Sequence, residues 1–315
     1  MNPKLALSFL FFGSLFLSAC LQFPLPDYEV VEWEEGKNEC KDFKYADSTY
    51  YLVEQVNDYI VAPVNELTGI YGAAPKGLSI DTLSGEINVT TSETGLRYRV
   101  FYTEEGSNDS CFTFVTISGI NYKDSVYVLD QMDTFAFPIY NASYSAALPC
   151  DDDDFTSDDS YQQKFLDDDG CEFDDGADDD DGDGHADEPP AGSQLIPQGV
   201  SLNKKTGRFN LKKTVTNGTF GVVPENGLSK DFELYYRLDD ASEMALNKID
   251  IRMYYFNTLA DIPDSLLQEM EDKQDLTYFQ PKYAGPDVTM APIDFLEKTK
   301  KTRPPYIVIV GTAVE

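Results

Sequence analysis

The sequence predicts an all-β protein built as two tandem domains, and three observations carry that expectation. Tyr and Phe each occur 20 times in 315 residues, beside many β-branched side chains, a composition suited to half-buried strands rather than helices. Gly, Asn, Asp and Pro recur at short intervals, as turns between short strands require. A thirteen-residue segment occurs twice, 122 residues apart, which is a domain spacing rather than a solenoid period.

At the N-terminus, Lys4 precedes an apolar run that starts at Leu5 and closes in Leu17-Ser18-Ala19-Cys20. A charged start, an apolar stretch and small residues at the cut describe a secretory signal peptide, too short to remain as a membrane span. The Leu-Ser-Ala-Cys ending resembles the lipobox of bacterial lipoproteins, which implies cleavage before Cys20 and lipidation of that residue. The expected organisation is a signal peptide at 1–19, a tether at 20–27, a first domain at 28–130, and a second at 131–315 with an Asp-rich insert at 150–190. Lipid implies a chain anchored to a membrane. Leu21 carries no inner-membrane retention signal, so the outer membrane is expected, with the leaflet open.

The repeat reads GLSIDTLSGEINV at 77–89 and GVSLNKKTGRFNL at 199–211. Gly, Ser, Gly and Asn are identical, and apart from Leu83, which is Lys205 in the second copy, apolar positions exchange for apolar ones. Each copy predicts a β-hairpin, with Asp81 or Asn203 opening the turn and Gly85 or Gly207 where a positive φ is wanted. Downstream, Tyr98-Arg99-Val100-Phe101-Tyr102 aligns with Phe232-Glu233-Leu234-Tyr235-Tyr236, and further strands are expected at 111–117 and 249–256. The hairpin pattern followed by an aromatic strand resembles the immunoglobulin-like repeats of bacterial surface proteins. That resemblance covers about residues 60–117 and 195–256, and it implies two tandem immunoglobulin-like β-sandwich domains. The second copy departs from the pattern by an insertion near Thr216 to Asp231.

One short helix is expected near the C-terminus, at 263–275, from Pro263 in the first turn and apolar Leu266, Leu267 and Met270 at helical spacing. Tyr306 to Val310, after Pro304-Pro305, reads as a buried strand.

The formal charge of −32 is uneven. Residues 151–188 hold 19 Asp and Glu against one Lys, and the rest of the chain is near the ordinary range for a soluble surface. So acidic a chain makes nucleic acid an unsuitable partner, since that binding neutralises phosphates with clustered cations. Basic groups at Lys204, Lys205, Arg208, Lys212 and Lys213, and at Lys298, Lys300, Lys301 and Arg303, read as solvated faces.

With Cys20 assigned to lipid, Cys40, Cys111, Cys150 and Cys171 remain in an oxidising compartment. Four cysteines permit three pairings. The favoured one joins Cys40 to Cys111 and lets Cys150 and Cys171 close the insert. Within the insert, Asp179, Asp181, Asp183 and Asp187, with His185 between them, place oxygens at alternate positions of a calcium loop, while Asp167, Asp169 and Asp174 form a looser unit upstream. Pro190 stands where an EF-hand carries its bidentate Glu. The spacing instead resembles thrombospondin type 3 repeats, which implies structural calcium.

His185 is the only histidine, so histidine-based catalytic triads and multi-histidine metal sites have no residues to use. No phosphate loop or dinucleotide fingerprint is present. A glycoside hydrolase remains as an alternative because it needs only two carboxylates. The reading is a non-enzymatic cell-surface binding or adhesion module whose partner is a glycan or a surface protein. A spacer in a surface assembly is the third possibility. Nothing in the sequence sets an oligomeric state.

Overall fold

Strands form where inward and outward side chains alternate, and among the described residues β-strand is the main regular structure, with two α-helices. The computed structural model describes residues 42–107, 110–150, 170–174, 176, 189–277 and 304–312. All of them lie in one unit, Glu35–Glu315.

The first half contains β1 (Thr49–Tyr50), β2 (Ile60–Val61), β3 (Gly69–Ala74), β4 (Ser79–Ile80), β5 (Ile87–Asn88), β6 (Leu96–Glu104) and β7 (Ser110–Ile117). A four-stranded sheet runs β1-β7-β6-β3, and a smaller one runs β2-β5-β4. β1 is parallel to β7, and the other pairings are antiparallel. Alternation turns Leu96, Tyr98 and Val100 of β6 inward, where they meet Tyr71 of β3, Ile87 of β5 and Val115 and Ile117 of β7. Each such side chain contributes about 1.5–3 kcal/mol when fully buried.

The second half contains β8 (Ile120–Tyr122), β9 (Ser125–Val128), β10 (Phe135–Ala136), β11 (Pro138–Tyr140), β12 (Glu172–Phe173), β13 (Phe209–Asn210), α1 (Leu211–Thr216), β14 (Leu228–Arg237), β15 (Asn247–Thr258), α2 (Asp264–Thr277) and β16 (Tyr306–Thr312). Its main sheet runs β12-β14-β15-β16-β9, with β16 parallel to both neighbours. The apolar run of β16 reflects burial on two faces. Ile307 and Ile309 enter one core with Leu234, Ile251 and Met253, while Val308 and Val310 enter another with Phe256, Leu266 and Met270. The helix expected at 263–275 is α2, and Leu266 and Met270 are its buried stripe. A second helix, α1, was not expected. It starts because the Asn210 side chain accepts the Lys213 N–H at 2.9 Å, ending the strand that the hairpin had begun.

The repeat is a repeat of hydrogen bonds as well as of letters. Asp81 Oδ1 accepts from the N–H groups of Leu83 and Ser84, and Asn203 Oδ1 accepts from those of Lys205 and Thr206. The Gly85 N–H donates to the Asp81 carbonyl and the Gly207 N–H to the Asn203 carbonyl, each at 2.9 Å. The Ser79 N–H donates to Ser92 Oγ and the Ser201 N–H to Thr214 Oγ1, both at 3.0 Å. Edge strands attach alike, through the Tyr71 N–H to the Thr82 carbonyl and the Phe173 N–H to the Lys204 carbonyl. The equivalence therefore extends three residues past the matched segment, to Ser92 and Thr214.

The change from the first core to the second falls between Ile117 and Ile120, ahead of the sequence boundary at 130: Ile120, Tyr122 and Tyr127 pack in the second core. Hydrogen bonds join the halves there. Thr94 Oγ1 of the first half donates to Asn247 at 2.9 Å and lies 3.4 Å from the buried Tyr236 hydroxyl, and Ser118 Oγ at the junction donates to Asp240 at 3.1 Å, while within the second half the same Tyr236 hydroxyl accepts the Ile120 N–H at 3.2 Å. Burial is the main cause that pushes the Tyr236 hydroxyl up to about 12, so it stays a neutral hydrogen-bonding group.

Gly207→Ala is expected to destabilise the second half by about 2 kcal/mol or more. Its φ is +66°, and a Cβ there would lie 2.5 Å from the Phe173 ring. Urea unfolding measures the loss. In the first half, N–H bonds from Ser84 and then Leu83 hold the Asp81 carboxyl below its usual 3.8. A depressed folded value stabilises above the unfolded pKa, and the contribution is lost as pH falls through the lower folded value. Asp81→Asn, which copies Asn203, is expected to keep the hairpin and flatten the acid side of the stability profile.

Candidate functional site

The acidic insert is where the sequence concentrates unusual chemistry, and the structure describes its base. Cys150 and Cys171 form a disulfide with Cα atoms 5.1 Å apart. Cys171 is buried in the second core, and Cys150 packs against it. Three residues on, Asp174 takes a left-handed φ of 58° and is itself buried. Its N–H donates to the Tyr235 carbonyl at 2.9 Å, and its carboxylate accepts the N–H groups of Leu195 and Ile196. Leu195 is fully buried in the same core. The chain flanking the insert is thus fixed by a disulfide, a buried carboxylate and a core leucine.

Of the expected calcium ligands, Asp174 is the one within the described residues, and its carboxylate is engaged with those two backbone N–H groups. Asp167, Asp169, Asp179, Asp181, Asp183, His185 and Asp187 lie outside the described residues, as do Cys20 and Cys40. Cys111 is disulfide-bonded, with its partner outside the described residues. Among the described residues no group of three or more His, Cys, Asp or Glu side chains is arranged to hold a metal ion. No described helix is long and apolar enough to cross a membrane.

Two further charged features stand apart from the insert, one partly buried and one exposed. On the outer face of β6 and β7 the Arg97 guanidinium lies 4.2 Å from the Phe114 ring centroid, and that of Arg99 lies 4.7 Å from Phe112. Strand alternation explains the stack, because Tyr98 between the arginines points into the core. Burial lowers the pKa of both guanidinium groups, and the Arg97 charge lowers that of Arg99 further. On β14 and β15 a ladder of exposed charges crosses the strands. Arg252 binds both oxygens of Asp231, and Lys248 reaches Glu233 at 2.8 Å and Asp250 at 3.8 Å. The Lys248 hydrogen bond holds the Glu233 carboxyl below its usual range. A shallow groove beside this ladder is lined by Asp231, Glu233, Asp250, Arg252 and Pro304.

Sequence reasoning missed one motif that the structure makes plain. Tyr45-Ala46-Asp47-Ser48-Thr49-Tyr50 and Tyr122-Lys123-Asp124-Ser125-Val126-Tyr127 share Y-x-D-S-x-Y. The leading tyrosines do the same work: Tyr45 donates to the Gly85 carbonyl and Tyr122 to the Gly207 carbonyl, each at 2.6 Å. The signal was four identical letters in six. It was hidden because its distance to the hairpin glycine is 40 residues in one half and 85 in the other.

Set against known proteins, the chain matches no family model and no curated protein.

Replacing Cys150 and Cys171 by Ser is expected to cost about 3 kcal/mol, from the entropy of the opened loop. Asp174→Ala, which strips two buried N–H groups of their acceptor, is expected to cost about 2 kcal/mol or more. Equilibrium unfolding of each variant checks both.

Proposed function

We propose that this chain is a lipid-anchored cell-surface protein of a bacterial envelope that acts as a non-enzymatic binding or adhesion module. Cys20 carries the lipid and faces the outer membrane in one leaflet or the other. Two tandem immunoglobulin-like sandwiches hold the binding surfaces away from the bilayer. Calcium, bound by Asp167, Asp169, Asp179, Asp181, Asp183, His185 and Asp187, stiffens the insert of the second. The supporting observation is the disulfide at the insert's base, since Cys150–Cys171 ties a strongly acidic segment to a packed core. The disulfide encloses Asp167 and Asp169, and the segment carrying Asp179 to Asp187 is held at its two ends by the Asp174 carboxylate bound to the Leu195 and Ile196 N–H groups.

Mass spectrometry of the native protein is expected to find an acylated Cys20 as the first residue. An unmodified or uncleaved N-terminus removes the anchor. Titration calorimetry of the full chain is expected to show calcium uptake in the about 10⁻⁴ to 10⁻³ M range typical of extracellular sites. A flat titration removes calcium from the proposal.

A further inference from the structure

The two halves differ at one strand position, and the difference leaves part of the β14 edge without a partner strand among the described residues. In the first half β3 runs along β6, pairing Tyr71 with Tyr102, Ala73 with Val100 and Ala74 with Arg99. In the second half the equivalent strand, β12, pairs Phe173 with Tyr236 and then stops. Asp174, with its φ of 58°, turns the chain away to bind Leu195 and Ile196. Opposite Leu234 and Glu233, where Ala73 and Ala74 sit in the first half, no described strand follows.

β14 continues from there to Leu228, paired on its other side with β15. Backbone groups of an antiparallel strand alternate in direction. Because the Tyr235 carbonyl faces β12 and accepts the Asp174 N–H, the N–H and C=O groups of Glu233, Asp231 and Ser229 point to the same open side. No backbone hydrogen bond reaches those groups among the described residues. An edge of this length is a template for a further strand.

We infer that the Ser229–Glu233 edge of β14 binds an extended, basic segment of a partner protein as an added antiparallel β-strand. The inference rests on the binding-module reading and names the partner's chemistry. The first half shows what such a strand carries on its core side, since Ala73 is the residue opposite Val100 and is small. Charge sets the other side. Asp231, Glu233 and Asp250 outnumber Lys248 and Arg252 on that face, and Asp231 and Glu233 are 66% and 53% exposed. A second copy paired about the middle of the edge sets Asp231 against Asp231 or Glu233, which like-charge repulsion opposes. A strand with lysine or arginine at alternate positions meets opposite charge instead.

The test adds a short peptide alternating lysine with valine to the full chain, and in parallel a counterpart alternating glutamate with valine. Hydrogen exchange followed by NMR is expected to slow at the N–H groups of Ser229, Asp231 and Glu233 by about tenfold or more with the basic peptide. Lys230 and Phe232, whose N–H groups face β15, are expected to change little. Asp231→Pro and Asp231→Asn lose the same charge, but only proline removes the N–H, so proline is expected to bind about tenfold more weakly than asparagine. Saturating basic peptide that leaves the three amides unchanged, failure of that peptide to bind, or equal affinity of the two variants overturns the inference. Should the proline variant fail to fold, exchange in the unaltered protein decides alone. If the amides stay unprotected while the native protein still captures a ligand from its envelope, the edge is excluded and the binding-module reading stands.

Discussion

A tyrosine hydroxyl buried against the carbonyl of a left-handed glycine ties each half of this molecule together. Tyr45 reaches Gly85 and Tyr122 reaches Gly207, both at 2.6 Å, across segments that are distant in sequence. A second ring, Tyr71 or Phe173, lies on each glycine where a Cβ would otherwise stand. The glycine therefore serves three ends at once: it turns the hairpin, offers its carbonyl and clears room for the ring. Burial raises the pKa of both tyrosines well above the ordinary phenol range, so each remains a neutral donor whose loss would strand a buried carbonyl. Hairpin, edge strand and leading strand are thereby fixed to one another before the larger sheets are considered.

Around this shared anchor the halves diverge in ways that bear on function. The first keeps a six-residue β3 and closes its sheet with β1 directly on β7. The second shortens the matching strand to two residues, gives the freed chain to the disulfide-based insert, and slots β16 between β15 and β9. Inserting a parallel strand requires a crossover, and α2 lies on that connection and covers the outer face of the added strand. The second half thus gains two buried faces and an insert, and among the described residues β12 covers only the end of β14. One plan, shared down to its hairpin hydrogen bonds, carries a long β3 in the first half and a two-residue β12 in the second.

Charge follows the same division. Among the described residues, Arg252 with Asp231 and Lys248 with Glu233 pair on the exposed face, where such contacts contribute about 0–1 kcal/mol each and mainly set local potential. The acidic excess is instead concentrated in residues 151–188, a segment whose flanks are held by Cys150, Cys171, Asp174 and Leu195. Fixing the ends of so charged a loop is physically sensible only if the core supplies the binding energy, and the second core does so through Cys171 and Leu195.

The linear sequence by itself determined the β class, the hairpins, the aromatic strands and the C-terminal helix, whereas it permitted three cysteine pairings and the structure chose Cys150–Cys171. The first four rest on local patterns: alternation, turn residues at fixed offsets and helical spacing. Three further features were decided only in three dimensions. Helix α1 depended on Asn210 reaching a backbone N–H, a choice between cap and strand that composition does not make. The pairing of Tyr45 and Tyr122 with hairpin glycines was invisible because intervening segments of unequal length break the register of any one-dimensional comparison. The end of β12 at Phe173 is the third, because there the Asp174 carboxylate is taken by two amides of Leu195 and Ile196 about twenty residues away. Local periodicity is written residue by residue, whereas the end of such a strand is settled only when non-adjacent segments have taken their places.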